Sequence, residues 1–261
     1  MKLLNILILI FTCSALLGQD ASETQIKVLS FNILHGATTQ GDFDLDVIAD
    51  VIKRTNPDLV ALQEVDRFTN RAKKYDLVTE LAIRTDMSPL FGRAMPYDGG
   101  EYGEGILSKW SFISSRNVPL PYSSGNEPRA ALEVTLRTGN GDTISFVATH
   151  LDHLRDSPDR ILQVKEINRV FGSNKYPTLL AGDLNDVPGS KAISILEDVW
   201  TSSYSKDNIQ PTHPSDNPAK KIDYVMFRQA ASWKVVSTKV ICDTIASDHC
   251  AYLVTLELTN R

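Results

Sequence analysis

The chain has 261 residues, of which 42% are hydrophobic and 23% charged, which is enough for one large domain with a sizeable core. Its net charge is −5, and its lysines are isolated or occur in scattered pairs such as Lys73-Lys74, which argues against the basic stripe of a tight nucleic-acid binder. No low-complexity stretch or linker divides the chain. We therefore expect a single-domain monomer without a strong nucleic-acid-binding surface.

The first 18 residues are typical of a secretory signal peptide. Lys2 precedes an apolar run from Leu3 to Leu17 that is too short to span a membrane comfortably, and a polar segment follows it. We expect cleavage of residues 1–18, a secreted or periplasmic location, and a mature domain over residues 24–261. An uncleaved anchor and a lipoprotein attached through Cys13 are less favoured alternatives.

A strand, a helix and a second strand are predicted next. Residues 25–34 form a nearly continuous apolar run, which favours a strand buried on both faces. A helix capped by Asp44 follows, and residues 58–64 form a second buried strand. A connection of this length implies parallel strands that end at the same edge of the sheet. Asn32 and Glu64, near those ends, should therefore be neighbours.

The same arrangement recurs in the second half of the chain. A strand that ends at His150 is followed by a helix that begins at Ser157-Pro158, a capping residue followed by a proline. The next strand ends at Asp183, with Asn185 two residues further along. Polar side chains again follow the ends of two strands that are predicted to be parallel.

The last two predicted strands carry their polar residues at the beginning. Asp223 opens one strand, and Asp248 and His249 open the other. If both strands are antiparallel to the earlier ones, their first residues lie at the edge where the others end. The sequence then predicts one rim of polar side chains: Asn32, Glu64, His150, Asp183, Asn185, Asp223, Asp248 and His249.

The residue types at this rim indicate metal-assisted chemistry. A carboxylate after an apolar strand, as at Glu64, is costly to bury without a partner, and magnesium is commonly held by one or two carboxylates and water. A salt-bridged strand end at Glu64 and a plain turn at Asp183 are the alternatives. His249 has two candidate acidic partners, Asp248 beside it and Asp223, which would set its tautomer and charge.

Four further residues are candidates for substrate binding. The guanidinium of Arg129 suits a phosphate oxygen, although it has a neighbouring glutamate with which it could pair instead. His35 follows the first strand and is expected near the cleft. Asp152 and His153 either extend the site or face solvent. His213, in a loop between two prolines, is expected at the surface.

The mature chain has two cysteines, Cys242 and Cys250, and the sequence does not decide whether they form a disulfide. Export permits such a bond, and a separation of eight residues suits a pair of strands near a loop. A domain of this size does not need the bond for stability.

At these residues the sequence resembles the endonuclease/exonuclease/phosphatase superfamily, which includes deoxyribonucleases, apurinic endonucleases, sphingomyelinases and inositol-polyphosphate phosphatases. The resemblance implies an α/β fold, a four-layer α/β/β/α sandwich of two mixed β-sheets with outer helices. Seven short segments match in the family's order and cover nearly the whole mature chain: Leu-Ser-Phe-Asn32, Leu-Gln-Glu64-Val, Gly103-Glu-Gly-Ile-Leu-Ser108, Ala-Thr-His150-Leu, Gly-Asp183-Leu-Asn185, Ile-Asp223-Tyr and Ser-Asp248-His249.

The resemblance also implies roles for the matching residues. They would form a metal-dependent phosphoric ester hydrolase, most favourably a phosphodiesterase, with one Mg²⁺ and with Mn²⁺ or Ca²⁺ as alternatives. Water would attack in line without a covalent intermediate, and either Asp183 or His249 would be the base. The implied roles are metal binding for Asn32, Glu64 and Asp248, water activation for Asp183 and Asn185, phosphate contact for His150, and orientation of His249 by Asp223.

Three departures from the family pattern bear on the substrate. Leu34 stands where some nucleases have a second acid, and Glu104-Gly105 replaces a frequent Asn-Ala pair. Asp152-His153 is more similar to secreted bacterial hydrolases, closest to members that resemble lipid-remodelling proteins of glycosylphosphatidylinositol anchors. These departures make DNA a less favoured substrate without changing the expected chemistry.

Alternatives to a phosphodiesterase acting on an unidentified substrate stay open at this level. The same site would serve a phosphomonoesterase or a phosphodiesterase of phospholipids or sphingomyelin, so a membrane lipid is one candidate substrate. A two-metal phosphatase is less favoured, because its Asn-His dipeptide and late His-x-His motif are missing from the sequence. A secreted binding module without catalysis is the remaining alternative.

Overall fold

The computed structural model describes residues 24–259, so the predicted signal peptide lies outside the described residues. Within residues 24–259, no helix combines the length and the apolar character that crossing a membrane requires. In chain order the elements are β1 (Thr24–Asn32), α1 (Leu45–Thr55), β2 (Leu59–Arg67), α2 (Leu77–Thr85), β3 (Ser88–Tyr97), β4 (Gly100–Ser108), β5 (Phe112–Leu120), β6 (Arg129–Arg137), β7 (Thr143–His150), α3 (Pro158–Phe171), β8 (Thr178–Asp183), α4 (Lys191–Glu197), β9 (Thr201–Ser202), β10 (Asp223–Phe227), β11 (Trp233–Ile241) and β12 (Ala251–Leu258).

The strands form two mixed sheets of six strands each. The strand order is β11-β12-β1-β2-β4-β3 in the first sheet and β5-β6-β7-β8-β10-β9 in the second. Strands β1 and β2 are parallel, as are β7 and β8, which confirms both predicted strand–helix–strand units. Strands β12 and β10 run antiparallel to β1 and β8, so the predicted reversal of the last strands is also confirmed.

The sheets face each other and carry helices on their outer faces, which confirms the predicted four-layer α/β/β/α sandwich. In β1, Ile26 and Val28 belong to the core between the sheets, whereas Leu29 and Phe31 pack with α1 and α2. A third apolar cluster joins the second sheet to α3 and α4. Because both faces of the central strands are covered, their sequences read as nearly continuous apolar runs.

The predicted helix starts are confirmed by their capping contacts. The side chain of Asp44 accepts a hydrogen bond from the backbone N–H of Asp46 at 2.9 Å. The hydroxyl of Ser157 accepts one from the backbone N–H of Arg160 at 3.2 Å, and Pro158 occupies the first turn of α3. These contacts satisfy backbone donors that have no partner within the helix.

The structure differs from the sequence prediction at two strand ends. Strand β2 does not finish at Glu64 but continues to Arg67 beyond an irregularity in its pairing with β4. Asp248 and His249 lie in the loop before β12 rather than in the strand. A disulfide between Cys242 and Cys250 closes this loop. The sequence had not decided whether this bond forms.

Candidate active site

A cavity of about 290 Å³ lies at the edge where β7 and β8 end and β10 begins. Most of the residues singled out from the sequence converge on it. Those that line it are His35, Glu64, Arg129, His150, His153, Asp183, Asn185 and His249. The lining also includes Arg71, Met95, Tyr97 and Tyr102, none of which the sequence pattern indicated.

Glu64 reaches the cavity through a β-bulge. The pairing of β2 with β4 shifts register between Leu62 and Val65, and Glu64 has a left-handed φ of 57°. Bulges redirect side chains and occur frequently beside active sites. Although burial raises the pKa of Glu64, hydrogen bonds and charges from His35, His150 and Asn32 lower it to about 2. The carboxylate at the cavity is therefore ionised at neutral pH.

Asn32 connects the two central carboxylates of the site. Its Nδ2 donates to Glu64 Oε1 at 3.1 Å and to Asp183 Oδ2 at 3.3 Å. Its Oδ1 accepts a hydrogen bond from the backbone N–H of Leu34 at 3.1 Å, which determines the orientation of the amide. The group between the carboxylates is thus a nitrogen donor, and this orientation favours a positioning role for Asn32 over the metal ligation that the resemblance implied.

Gly182 allows the ends of β7 and β8 to lie close together. A β-carbon at this position would lie 1.9 Å from the carbonyl oxygen of Thr149, so no other residue fits this backbone geometry. The pairing that results places His150 level with Asp183.

Asp183 occupies the centre of the cluster. It is paired with His150 in β7 and with Asp223 in β10, so three polar residues share one level of the sheet. Its Oδ1 accepts the backbone N–H of Asn185 at 2.9 Å. Its Oδ2 lies 3.5 Å from His150 Nε2 and 3.7 Å from His249 Nε2. Burial raises the pKa of Asp183 to about 7, and the charge of His249 opposes that rise.

His249 is held by Asp223 rather than by its neighbour in the sequence. Its Nδ1 lies 3.1 Å and 3.2 Å from the two carboxylate oxygens of Asp223. Burial lowers the pKa of His249, but the charge and hydrogen bond of Asp223, together with the charges of Asp183 and Asp248, raise it to about 10. Of the two partners that the sequence allowed, the structure selects Asp223 for the hydrogen bond.

Asp248 does not face Glu64 across the cavity. Its Oδ2 lies 4.0 Å from His213 Nε2, and it is not among the described residues that line the cavity. The metal role that the resemblance implied for Asp248 therefore has no contact with Glu64 in this structure. His213, expected at the surface, instead has its ring centroid 4.6 Å from that of His249. Only the fold of the loop brings these two rings together.

Asp152 also lies away from the cavity, although its neighbours line it. Its backbone N–H donates to Gln163 at 2.9 Å, and its Oδ2 accepts from the backbone N–H of Leu154 at 3.3 Å. The side chain is buried in the loop between β7 and α3, so it shapes that loop and makes no cavity wall. We therefore assign no substrate contact to Asp152.

Arg129 is buried at the cavity wall and makes the pairing with the neighbouring glutamate, one of the two alternatives that the sequence had left; contact with a phosphate oxygen stays a prediction. Its Nη2 donates to Glu127 at 2.9 Å, and its Nη1 lies 3.1 Å from His150 Nδ1. Nη2 is also 3.2 Å from His153 Nδ1. Burial and then the positive charge of Arg129 lower the pKa of His150 well below its usual value. His150 is therefore neutral, with Nε2 turned toward Asp183.

The donor set at the cavity fits a hard divalent cation. Glu64 and Asp183 are carboxylates that share one amide donor and line one cavity, and Mg²⁺ is commonly bound by one or two carboxylates completed by water and substrate oxygens. Ligand atoms of Asp183, Asp223 and His249 lie within 4.8 Å of one another, and those of His213, Asp248 and His249 form a second such group. The oxygen-rich side of the cavity is the better match to magnesium.

A further acid, Glu104, lies beneath the site. It is in β4, opposite Gly92 and at the level of the bulge that contains Glu64. The side chain is fully buried, and neither carboxylate oxygen has a hydrogen-bond partner among the described residues. Burial raises the pKa of Glu104 to about 8, against the opposing charge of Arg129. The folded protein therefore keeps a proton on Glu104 at neutral pH.

Replacing Glu104 with glutamine is expected to remove a pH-dependent loss of stability. Above the ordinary glutamate pKa of 4.5 the unfolded chain releases this proton while the folded chain retains it, so wild-type stability falls as pH rises from 4.5 toward 8. Between pH 4.5 and pH 8 the free energy of unfolding of Glu104→Gln should therefore rise relative to that of the wild type by on the order of 3–5 kcal/mol. Urea unfolding between pH 5 and pH 8 with EDTA present measures the difference. Parallel profiles for the two proteins would contradict the prediction, and Glu101→Gln in the same strand is the control.

The sequence model of the Endonuclease/Exonuclease/phosphatase family matches residues 29–249. Among solved structures, an endonuclease/exonuclease/phosphatase from Beutenbergia cavernae is 25% identical with a TM-score of 0.73, covering 90% of this chain and 72% of its own. A functionally unknown conserved protein from Enterococcus faecalis is 22% identical with a TM-score of 0.74, covering 90% and 100%. A mannosyl-6-phosphatase from Bacteroides thetaiotaomicron is 18% identical with a TM-score of 0.68, covering 88% and 99%. The last two likenesses show the fold alone.

Proposed function

The chain belongs to the Endonuclease/Exonuclease/phosphatase family, whose members are metal-dependent phosphoesterases, and from this premise we propose that it hydrolyses a phosphoester with the aid of a divalent cation. One observation carries the proposal. Two carboxylates, Glu64 and Asp183, and two imidazoles, His150 and His249, face a single small cavity, and Asn32 bridges the carboxylates. This combination can neutralise a phosphate and accept a proton from water.

Glu64 is the residue that we propose holds the cation, with water and substrate oxygens as the remaining ligands; one Mg²⁺ is expected, and Mn²⁺ or Ca²⁺ are alternatives. When bound, the ion supplies positive charge to the phosphate oxygens and to the leaving oxygen. Asn32 keeps the two carboxylates at a fixed separation through its amide hydrogens. Holding charged groups in advance of the reaction lowers the cost of reorganising them in the transition state.

Asp183 is the residue that we propose takes the proton of the attacking water. Its Oδ1 is engaged by the backbone N–H of Asn185, while its Oδ2 faces the imidazoles at the cavity. The Nδ1 of His249 is engaged by Asp223, which favours a ring that carries protons on both nitrogens. His249 would then donate a hydrogen bond from Nε2 to the phosphate, and the geometry supports Asp183 over His249 as the base.

A direct attack by water is further supported by the composition of the cavity wall. Among the described residues that line it there is no serine, threonine or cysteine that could act as a nucleophile. The imidazoles and the central carboxylate are engaged by other side chains: His150 by Arg129, His249 by Asp223, and Asp183 by Asn32. Arg129 and His150 at the same wall are placed to contact phosphate oxygens. We therefore propose in-line hydrolysis without a covalent intermediate.

A substrate screen tests this function. The purified protein is expected to hydrolyse at least one of bis-p-nitrophenyl phosphate, p-nitrophenyl phosphate, nicked plasmid DNA and sphingomyelin in the presence of Mg²⁺. EDTA should reduce the rate to background, and added Mg²⁺ should restore it, because the carboxylates cannot neutralise a phosphate by themselves. Failure on the whole panel with Mg²⁺, Mn²⁺ and Ca²⁺ would contradict the proposal and favour a binding module.

We also propose that the protein acts outside the cytoplasm, as a monomer. The disulfide between Cys242 and Cys250 supports export, because such bonds persist in oxidising compartments. The net charge of −5 argues against tight binding to nucleic acids. A phosphodiester is the favoured substrate, and a monoester or a membrane phospholipid remains an alternative that the same screen separates.

A further inference from the structure

One part of the cavity wall contains none of the proposed hydrolytic residues and has a defined structure of its own. Arg71 comes from the turn after β2, Met95 and Tyr97 from β3, and Tyr102 from β4. None of these residues contributes a carboxylate or an imidazole, so the proposed hydrolytic steps leave them without a role. Cavity-lining residues without a role at the phosphate are candidates for contact with the alcohol part of a phosphoester.

Arg71 is held rigidly in this wall. Its Nε and Nη2 donate to the two carboxylate oxygens of Asp66 at 2.6 Å and 2.9 Å, and Asp66 is fully buried. Thr69 donates to the same carboxylate at 2.6 Å, and the backbone N–H of Arg71 donates to Asp98 at 2.8 Å. A bidentate pair of this kind defines the plane of the guanidinium. Arg71 is therefore preorganised rather than free to move with solvent.

Two tyrosines complete the wall around the guanidinium. The carbon at the centre of the Arg71 guanidinium lies 4.5 Å from the ring centroid of Tyr97 and 5.8 Å from that of Tyr102. Arg129 approaches the Tyr102 ring to 6.0 Å, so this ring has two cations beside it. Tyr97 remains 38% exposed, which leaves part of its ring available to a ligand in the cavity.

The chemistry of the wall favours hydroxyl groups over a second anion. The charge of Arg71 is already balanced by Asp66, but its Nη1 has no hydrogen-bond acceptor among the described residues. Glu127, half-exposed at the rim, offers carboxylate acceptors and would repel another phosphate. A donor, an acceptor and an exposed aromatic ring around one small space suit a ring that carries several hydroxyl groups.

The size of the cavity matches a small alcohol. Its volume of about 290 Å³ is at the lower end of the range for small-molecule sites. It is sufficient for a phosphate with one six-membered ring. The lining is also polar, which disfavours a hydrocarbon ligand.

We propose that Arg71, Tyr97 and Glu127 form a subsite for the alcohol part of the substrate, and that this part is a polyhydroxylated ring such as a sugar or a cyclitol. The proposal rests on the proposed phosphoester hydrolysis and specifies its substrate class. Arg71 would donate Nη1 to a hydroxyl oxygen, Glu127 would accept from another hydroxyl, and the apolar face of the ring would lie on Tyr97.

The test compares substrates with and without hydroxyl groups on the alcohol. The wild-type protein with Mg²⁺ should hydrolyse hexose 6-phosphates or myo-inositol 1-phosphate with a kcat/KM at least about 10-fold above that for p-nitrophenyl phosphate. Arg71→Gln should reduce this preference about 10-fold, mainly through a higher KM for the polyol phosphates. Tyr97→Ala should reduce it in the same direction.

Arg67→Gln is the matched control. Arg67 is exposed to a similar degree, 39% against 31% for Arg71, and it also pairs with acids and stacks on aromatic rings, but it does not line the cavity. It should leave the substrate preference unchanged. Circular dichroism and thermal melting establish that each variant folds. If Arg71→Gln does not fold because Asp66 loses its partner, Tyr97→Ala decides the question.

The outcomes separate the two proposals. If the wild type hydrolyses neither these monoesters nor the diester bis-p-nitrophenyl phosphate with any of the three metals, phosphoester hydrolysis itself is wrong. If it hydrolyses either p-nitrophenyl ester without preferring the polyol phosphates, the subsite proposal is overturned while the hydrolytic function stands. Equal losses on both substrate types in Arg71→Gln and Tyr97→Ala would likewise overturn the subsite.

Discussion

Replacing Glu64 with glutamine is expected to lower kcat/KM for the best phosphoester by at least about 10³-fold and to abolish tight binding of Mn²⁺ or Mg²⁺. The side chain keeps its size and its place in the bulge but loses the negative charge that attracts a cation. Glutamine is preferred to alanine here because the substitution then tests the charge without opening a hole beside Asn32. Kinetics and isothermal titration with Mn²⁺ provide two independent measurements.

Glu101→Gln is the control for this experiment. Glu101 is also a partly exposed acid at the same sheet, but it pairs with Arg67 and Arg93 and does not line the cavity. It should retain wild-type kinetics and metal affinity. If Glu64→Gln retains both properties, Glu64 does not bind the metal. The group formed by His213, Asp248 and His249 would then be the favoured metal site.

Asp183→Asn is expected to lower kcat by about 10²–10⁴-fold while changing KM by only a few fold. Asparagine can still accept the backbone N–H of Asn185, but it cannot take a proton from water. Folding should not suffer, because burial already disfavours the charged form of Asp183. Steady-state kinetics on the best substrate of the screen, with thermal melting in parallel, measures both effects.

A companion variant distinguishes the two candidate bases. His249→Gln removes an imidazole that we propose stabilises the phosphate, and it should cost less in kcat than Asp183→Asn. If Asp183→Asn instead retains more than about a tenth of kcat while His249→Gln loses activity altogether, His249 is the base. The hydrogen bonds that Nδ1–H of His249 donates to Asp223 argue for the first result, because they stabilise the doubly protonated ring, which can donate from Nε2.

Much of the fold could be predicted because its signals are local. The apolar runs around Val28, Ala61, Val147 and Ala181 identify strands buried on both faces, and capping residues such as Asp44 mark helix starts. Strands β3, β4, β5, β9 and β11 were not predicted. Much of β5 and β11 is exposed, and their sequences lack the continuous apolar pattern of the central strands.

Part of the candidate site could be predicted for the same reason. A parallel pair of strands brings its carboxyl ends to one edge, so His150 and Asp183 had to be neighbours once the strand directions were known. The positions of residues in the loops beyond strand ends were harder to predict. Asp248 was grouped with Glu64 by analogy, yet the loop directs it to His213, and His213 itself carries no pattern that indicates a site.

The amino-acid sequence by itself determined the buried central strands, the two parallel strand pairs and the collection of acids and imidazoles at one edge, because hydrophobic periodicity and chain handedness act through neighbouring residues. The four-layer architecture was implied by the resemblance to the family. Tertiary structure alone decided the bulge that turns Glu64 toward the cavity and the orientation of the Asn32 amide. It also decided that Asp223 is the hydrogen-bond partner of His249 and that Arg71 lines the cavity. Each of these depends on contacts between residues distant in the chain, and their geometry follows from packing and backbone hydrogen bonds that no short stretch of sequence specifies.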